Sequence, residues 1–343
     1  MSRYPAYDVP LEYQTGIFPG NALAVGGFVQ HSVTERYQPI NGTSFGPGSL
    51  CKIKAESHDT LVNGDELYLK FQPELYKDKV QVFDLGNMKL ATEGWAALIR
   101  SIADYISGVA YDNIPEYNRF CGSSYINSSL EHKVSLQKTD NMRFLINGSD
   151  WNSPDVKFDF KNGFVMHKLN LPLLNSLGLL ELPLLGSGVD FEIGIEQQLN
   201  KVLKKTGDAT VAAAVDEVRM GKVELVWNGI KPSQGFWEQK AHELANGGVI
   251  EKMAQVVKHQ SFNGNNSSQV NLKVESGDVR SVSSVKVLGI PGDYVADIWG
   301  HKDKGGAALD ITKNPIDTLS YSSDLGTREV YFTVGGKRAP LKK

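Results

Sequence analysis

The residues of this chain that could do chemistry are numerous but scattered. Seven histidines, His31, His58, His132, His167, His242, His259 and His301, are spread over 343 residues without a metal-ligand spacing. A zinc hydrolase would set two histidines four apart in HExxH, a pattern that does not occur, nor does CxxC or a phosphate-cradling P-loop. Cys51 and Cys121 are too few for a disulfide framework or a metal cluster and read as isolated thiols. Among the carboxylates, Asp65 and Glu66 fall in an expected turn, and Asp155 and Asp159 fall on the solvent side of VKFDF. A calcium loop would need DxDxDG spacing, which is absent. A sandwich-fold glycoside hydrolase needs two carboxylates ~5 to 9.5 Å apart across a cleft, an option that the acidic residues leave open. His167 lies in an expected strand, where a hydrogen-bonded structural histidine is the plainer reading. Trp95, Trp151, Trp227, Trp237 and Trp299 could form a sugar-binding platform, but each sits in or beside an expected element, where core packing is favoured. The pattern points to a protein that binds or builds, with no cofactor and no metal site.

Composition narrows this further. The length exceeds the ~250 to 300 residues at which one core usually stops growing, so two domains are expected. A net charge of -3 argues against a general nucleic-acid surface, and no specific nucleic-acid binding is expected. Positive charge gathers only in GGKRAPLKK, which reads as a solvated tail. The N-terminal MSRYPAYDVPLEYQTGIFPG lacks a basic segment followed by an apolar run, so no signal peptide and synthesis in a reducing cytoplasm are expected.

The elements that would position these residues are mostly strands. Residues 1–45 mix proline, glycine and tyrosine without a sustained period and suggest an extended arm. SLCKIKAESHD alternates, NGDELYLKFQ follows an expected turn at Asn63-Gly64, and WAALIRSIADYISGVAYD is apolar with a break at Gly108. KVSLQ, MRFLING, VKFDF and FVMHKLNL continue the series. The most apolar stretch, LNLPLLNSLGLLELPLLGSGVDFEIGIE, spans residues 169 to 196. A bilayer span needs ~20 apolar residues without interruption, whereas Pro172, Pro183, Asn170, Asn175 and Glu181 interrupt this one. Its second half alternates Val189, Phe191, Ile193 and Ile195 with acidic residues, so the whole reads as β structure with apolar corners. GKVELVWNGI closes a first sandwich, residues 46–232. SQGFWEQKAHELAN, residues 233–246, reads as a linking helix with Ser233 as its N-cap. Strand signals then resume over residues 247–343.

Several of these segments, in order, resemble the double jelly-roll major capsid proteins of tailless icosahedral DNA viruses, including large eukaryotic DNA viruses, virophages and polinton-like elements. KIKAESHDTLVNGDELYLKF is similar to their first strand pair. GWAALIRSIADYISGVAYDNIPEYNRF is similar to a segment in which a glycine and aliphatic run (Gly94, Trp95) lead through a glycine turn (Gly108) to an apolar-Asp pair (Asp112). The paired Leu-Pro units, Leu171, Pro172, Leu173 and Leu174, then Leu182, Pro183 and Leu184, resemble those preceding a strand of the first inner sheet. VELVWNGIKPSQGFWEQKAHEL, with Trp227 and Pro232, is similar to the exit strand and connecting helix.

The resemblance implies an all-β chain of two tandem antiparallel jelly-roll β-sandwiches joined by a short helix. It also implies a non-enzymatic homotrimer whose pseudo-hexagonal capsomers tile a virion shell, with neighbouring capsomers, minor capsid or penton proteins and an internal membrane as candidate partners. The Leu-Pro residues would fill the barrel base or the contact between barrels. Residues 247–343 are short for a complete second jelly roll. A minor or penton capsid component and a cytosolic carbohydrate-binding β-sandwich remain as alternatives.

Overall fold

The computed structural model describes residues 29–90, 94–126, 158–185, 188–205, 212–248, 254–255, 257, 331–334 and 337–340. The expected strands KVSLQ and MRFLING, the first two residues of VKFDF, Asp155, Trp151, Trp299, His132, His259, His301 and nearly all of 247–343 lie outside them. The chain divides into two compact units, Met1–Met142 with Phe158–Ser268, and Arg143–Lys157 with Gln269–Lys343. Within the second unit the described residues form one antiparallel hairpin, β14 (Tyr331–Val334) and β15 (Lys337–Pro340).

The first unit is an antiparallel sandwich. One sheet runs β1 (Val29–Tyr37), β13 (Glu217–Pro232), β4 (Leu61–Lys77), β10 (Leu179–Glu181), with β2 (Ser44–Phe45) on β13 and β5 (Val80–Val82) and β9 (Val165–Lys168) on β4. The other runs β3 (Leu50–Ala55), β11 (Val189–Ile195), β7 (Ile99–Ile106), β8 (Val109–Ile114). A smaller pair joins β6 (Met88–Leu90) to β12 (Leu203–Lys205).

Period-2 alternation explains which faces meet. Cys51, Ile53 and Ala55 of β3, and Val189, Phe191 and Ile193 of β11, are buried while Lys52, Lys54, Asp190 and Glu192 point outward. Outside, Lys52 Nζ pairs with Glu192 Oε1 at 2.7 Å. In the other sheet Leu67, Leu69 and Phe71 of β4 and Leu225 and Trp227 of β13 are buried. Trp227 and Phe191, from opposite sheets, meet edge to face with centroids 6.0 Å apart, so the two inner faces form one core. Burying each such large apolar side chain stabilises the fold by roughly 1.5 to 3 kcal/mol before entropy is counted.

Three expectations change on contact with the fold. Asn63-Gly64 is no turn: both residues lie inside the 17-residue strand β4. Asp65 and Glu66 therefore sit on a strand, where Asp65 meets Lys168 at 2.9 Å and Glu66 accepts from Asn228 at 3.1 Å. The span expected as an arm holds strands, because Val29–Tyr37 pairs along the edge of β13 and Ser44–Phe45 pairs lower down the same strand; residues 1–28 lie outside the described residues. The alternation of VQHSVTERY is diluted by polar residues on both faces, as suits an edge strand.

A helix is present at Gln234–Ala245, within the span expected to be helical, and belongs to the first unit. Ser233 occupies the N-cap, but it is its backbone carbonyl that bonds Phe236 N, at 3.1 Å; the hydroxyl caps nothing. Phe236 is fully buried against Leu61, Leu179 and Ile230, with Trp237 packed beside it. Trp237 Nε1 also donates to the Asp59 carbonyl at 3.3 Å, and Lys231 pairs with the Asp59 carboxylate.

Candidate functional site

The Leu-Pro stretch forms one corner of the sandwich, built from helical turns rather than from strand ends. Pro172 opens a short helix, Pro172–Leu177, at its first turn, where the missing N–H costs nothing. Gly178, at φ +68, ends it and feeds β10. Pro183 falls in a 3-10 turn, Leu182–Leu185, that leads toward β11. Proline thus starts turns here as well as limiting strand pairing.

This corner divides the seven residues of the two Leu-Pro units. Leu171, Leu173, Leu174 and Leu182 are buried within the first unit, so they are core. Pro172, Pro183 and Leu184 are half-buried and form the outer side of the corner. Gly64 makes the close packing feasible: a Cβ there would strike the Leu174 carbonyl, and its N–H donates to Gly178 O at 2.8 Å. With its amide oriented to suit its neighbours, Asn175 Nδ2 donates to the carbonyls of Gly64 and Leu171, both at 3.1 Å.

Asp112 ties this corner to the opposite sheet. It is wholly buried, its Oδ2 accepts from Leu173 N at 2.8 Å, and its Oδ1 accepts from Val257 N at 2.8 Å. A carboxylate facing the first turn of the Leu-Pro helix supplies the acceptor that the helix lacks, since Leu171 makes no side-chain cap. Asp112 N in turn donates to Asp104 Oδ1 at 2.7 Å. Burial, followed by the charge of Asp112, pushes the Asp104 carboxyl up to about 7.

The remaining candidates take structural places. Gly94, at φ +57, starts the 3-10 turn that carries Trp95 inward, where Phe158 and Phe160 pack at 5.4 and 6.0 Å between centroids. Gly108, at φ +77, and Ser107, at φ +51, make the tight β7–β8 connection, for which two left-handed residues suit the twist of a hairpin. Trp227 Nε1 donates to Asn63 O at 2.8 Å. Pro232 is buried where β13 ends before the helix. Burial leaves neither Trp95 nor Trp227 a ring face for a sugar.

Sequence reasoning expected a hydrogen-bonded His167 but missed its partner and several other buried polar groups. Tyr117 and His167 meet in the core, with Tyr117 Oη 3.0 Å from His167 Nε2, and Tyr117 Oη accepts from Asn170 N at 2.8 Å. Glu196, at the end of β11, accepts from Gln197 N at 3.0 Å and Gln198 N at 3.1 Å on one oxygen, and from Asn118 Nδ2 at 3.2 Å on the other. Asp104 had a visible signal: it occupies the inward register between Ile102 and Ile106. Among the described residues no group of three or more His, Cys, Asp or Glu side chains could hold a metal ion, and no helix is long and apolar enough to cross a membrane. The polar side chains are used to fasten the sandwich.

No protein-family profile matches the sequence, and no curated protein matches it. A comparison with solved structures does return matches. A chain from the cryo-EM structure of the Sputnik virophage is 9% identical, with a TM-score of 0.42 over 64% of this chain and 51% of that one. A chain of the PBCV-1 virus capsid is 13% identical, with a TM-score of 0.42 over 63% of this chain and 46% of that one. The Faustovirus major capsid protein is 9% identical, with a TM-score of 0.37 over 66% of this chain and 59% of that one. The match spans about half the length of each of these chains.

Proposed function

We propose that this chain is a structural capsid protein that assembles as a homotrimer, giving pseudo-hexagonal capsomers that tile an icosahedral virion shell. The observation that carries this reading is how the four resembling segments close on one another. The lysine-bearing strand β3 and the strand β4 that follows it in the facing sheet, the β7–β8 hairpin, the Leu-Pro corner and the exit strand β13 pack into one sandwich, and β13 runs through Pro232 directly into the docked helix. The buried side chains of His167, Asp112 and Glu196 are held in internal hydrogen bonds. Two jelly rolls per chain, the second within 247–343, and contacts with neighbouring capsomers, minor or penton proteins and an underlying membrane complete the proposal. Residues ahead of β1 would supply the arm between capsomers, ordering on contact.

Native mass by light scattering tests it. The subunit is 37.7 kDa, so a trimer requires about three times that mass, after which electron microscopy should show hexagonal outlines. A clean monomer at every protein concentration tried would overturn the capsomer.

A further inference from the structure

Asp104 and Asp112 are both wholly buried, and a single N–H, that of Asp112, bridges one carboxylate to the backbone of the other. The register of β7 and β8 shifts between Ala103 and Tyr105, which turns Asp112 N toward the Asp104 side chain instead of a ladder carbonyl. The two carboxylates then differ in what they receive. Both oxygens of Asp112 accept backbone N–H bonds, from Leu173 and from Val257, which favours its charged form. Asp104 Oδ2 is buried with no hydrogen-bond partner among the described residues. Two full charges at such a place repel strongly, and one proton on Asp104 removes the repulsion without disturbing the bonds of Asp112.

Asp112 also reaches beyond its own sheet. Through Val257 it holds the chain segment that follows the linking helix, and the same segment is held a second time where Gln255 N donates to Ser176 Oγ at 2.8 Å. Ser176 Oγ donates to Leu173 O at 2.9 Å, so the corner and the segment share their anchors.

We propose that the Asp104–Asp112 pair is a proton-binding joint: with one proton held on Asp104 it fastens the Leu-Pro corner and the segment after the linking helix to β8, and loss of that proton loosens both. The inference does not depend on what the chain assembles into. Other titratable groups on the packed elements do not provide the charge that Asp104 meets. On β11, Asp190 and Glu192 point to the opposite face from Phe191; the helix Tyr117–Ile126, which packs on β7, has Tyr117, Arg119, Cys121 and Tyr125 as its titratable residues, none of them acidic. The Leu-Pro helix and residues 254, 255 and 257 carry no titratable side chain. The charge that acts on Asp104 is that of Asp112. A divalent cation fits poorly, because two carboxylates, three of whose four oxygens already accept N–H bonds, fall well short of the 6 to 8 oxygens that calcium takes.

The sign follows from the raised carboxyl. A group whose folded value lies above its ordinary 3.8 adds stability that is complete in acid and is lost as pH rises through the folded value, here about 7. The joint is therefore tight below neutrality and loose above it.

The test uses the full chain and D104N, whose amide can still accept from Asp112 N but cannot ionise. Melting temperature is followed from about pH 5.5 to about pH 8.5, with amide hydrogen exchange read in peptides covering 171–177 and 254–258. The wild type should melt several degrees lower at the alkaline end and exchange there more than about tenfold faster in both peptides once the intrinsic pH effect is removed; D104N should be flat in both readouts. The same slope in D104N, or wild-type exchange that follows the intrinsic rate alone, overturns the proposal. Should D104N fail to fold, infrared titration of the wild type decides: a protonated-carboxyl band lost near neutrality supports the joint, and the absence of any such band overturns it.

Discussion

Gly64, inside strand β4, donates its N–H to the carbonyl of Gly178 at 2.8 Å, so the long central strand and the end of the Leu-Pro helix touch backbone to backbone. The space that a side chain would occupy at Gly64 is filled by the Leu174 carbonyl. This approach explains a glycine where strand propensity would choose a β-branched residue.

Gly64→Ala should therefore destabilise the sandwich by at least about 2 kcal/mol, as overpacking against backbone does. Gly235→Ala is the control, because nothing lies within 4 Å of its would-be Cβ, and it should change stability by less than about 1 kcal/mol. Urea midpoints of the two variants check the contrast; equal midpoints would mean that the corner yields.

The two Leu-Pro units should respond differently to charge. Leu173 is buried and its N–H is bound to Asp112, so L173D sets a second carboxylate beside the first and should abolish cooperative unfolding in a circular dichroism melt. Leu184 is half-buried, so L184D should fold. If the outer corner contributes to the trimer proposed above, L184D should remain a monomer by light scattering; a normal trimer would assign the interface elsewhere.

Deletions should separate strand from arm. Removing residues 1–28 leaves β1 whole and should preserve the thermal transition while weakening any shell assembly. Removing residues 1–40 strips the β1 ladder from β13, Val29 to Tyr37, together with the bond from Thr60 Oγ1 to Glu35 Oε1 at 2.8 Å. That protein should melt lower and aggregate through the uncovered edge. Identical melts for the two deletions would contradict the role given to β1.

Neither thiol should react in the native state. Cys51 and Cys121 are both buried, and burial pushes the Cys51 thiol up to about 12, which keeps it protonated. A chromogenic disulfide reagent at about pH 8 should find no thiol until denaturant is added, and then two. Rapid labelling of Cys51 without denaturant would show that the β3 face opens.

Much of this protein is written locally. The alternation in VDFEIGIE and LCKIKA, the helix formers after Ser233 and the clustering of leucine around two prolines report periodicity and propensity, which neighbouring residues set among themselves. They were sufficient for an all-β sandwich with an exit helix, for core tryptophans at Trp95 and Trp227, and for a structural place for His167. Tertiary structure decided what depends on distant partners. Asn63-Gly64 has the composition of a turn, yet it runs straight because the Leu-Pro helix packs onto it. VQHSVTERY looks like part of an arm, yet it is a strand because β13 offers it an edge. Asp104 and Asp112 are two ordinary acidic residues in the sequence. Only the shifted β7–β8 register, the helix end at Leu173 and the returning chain at Val257 bring them into one buried pair, because burial and close charge depend on spatial neighbours that sequence spacing does not specify.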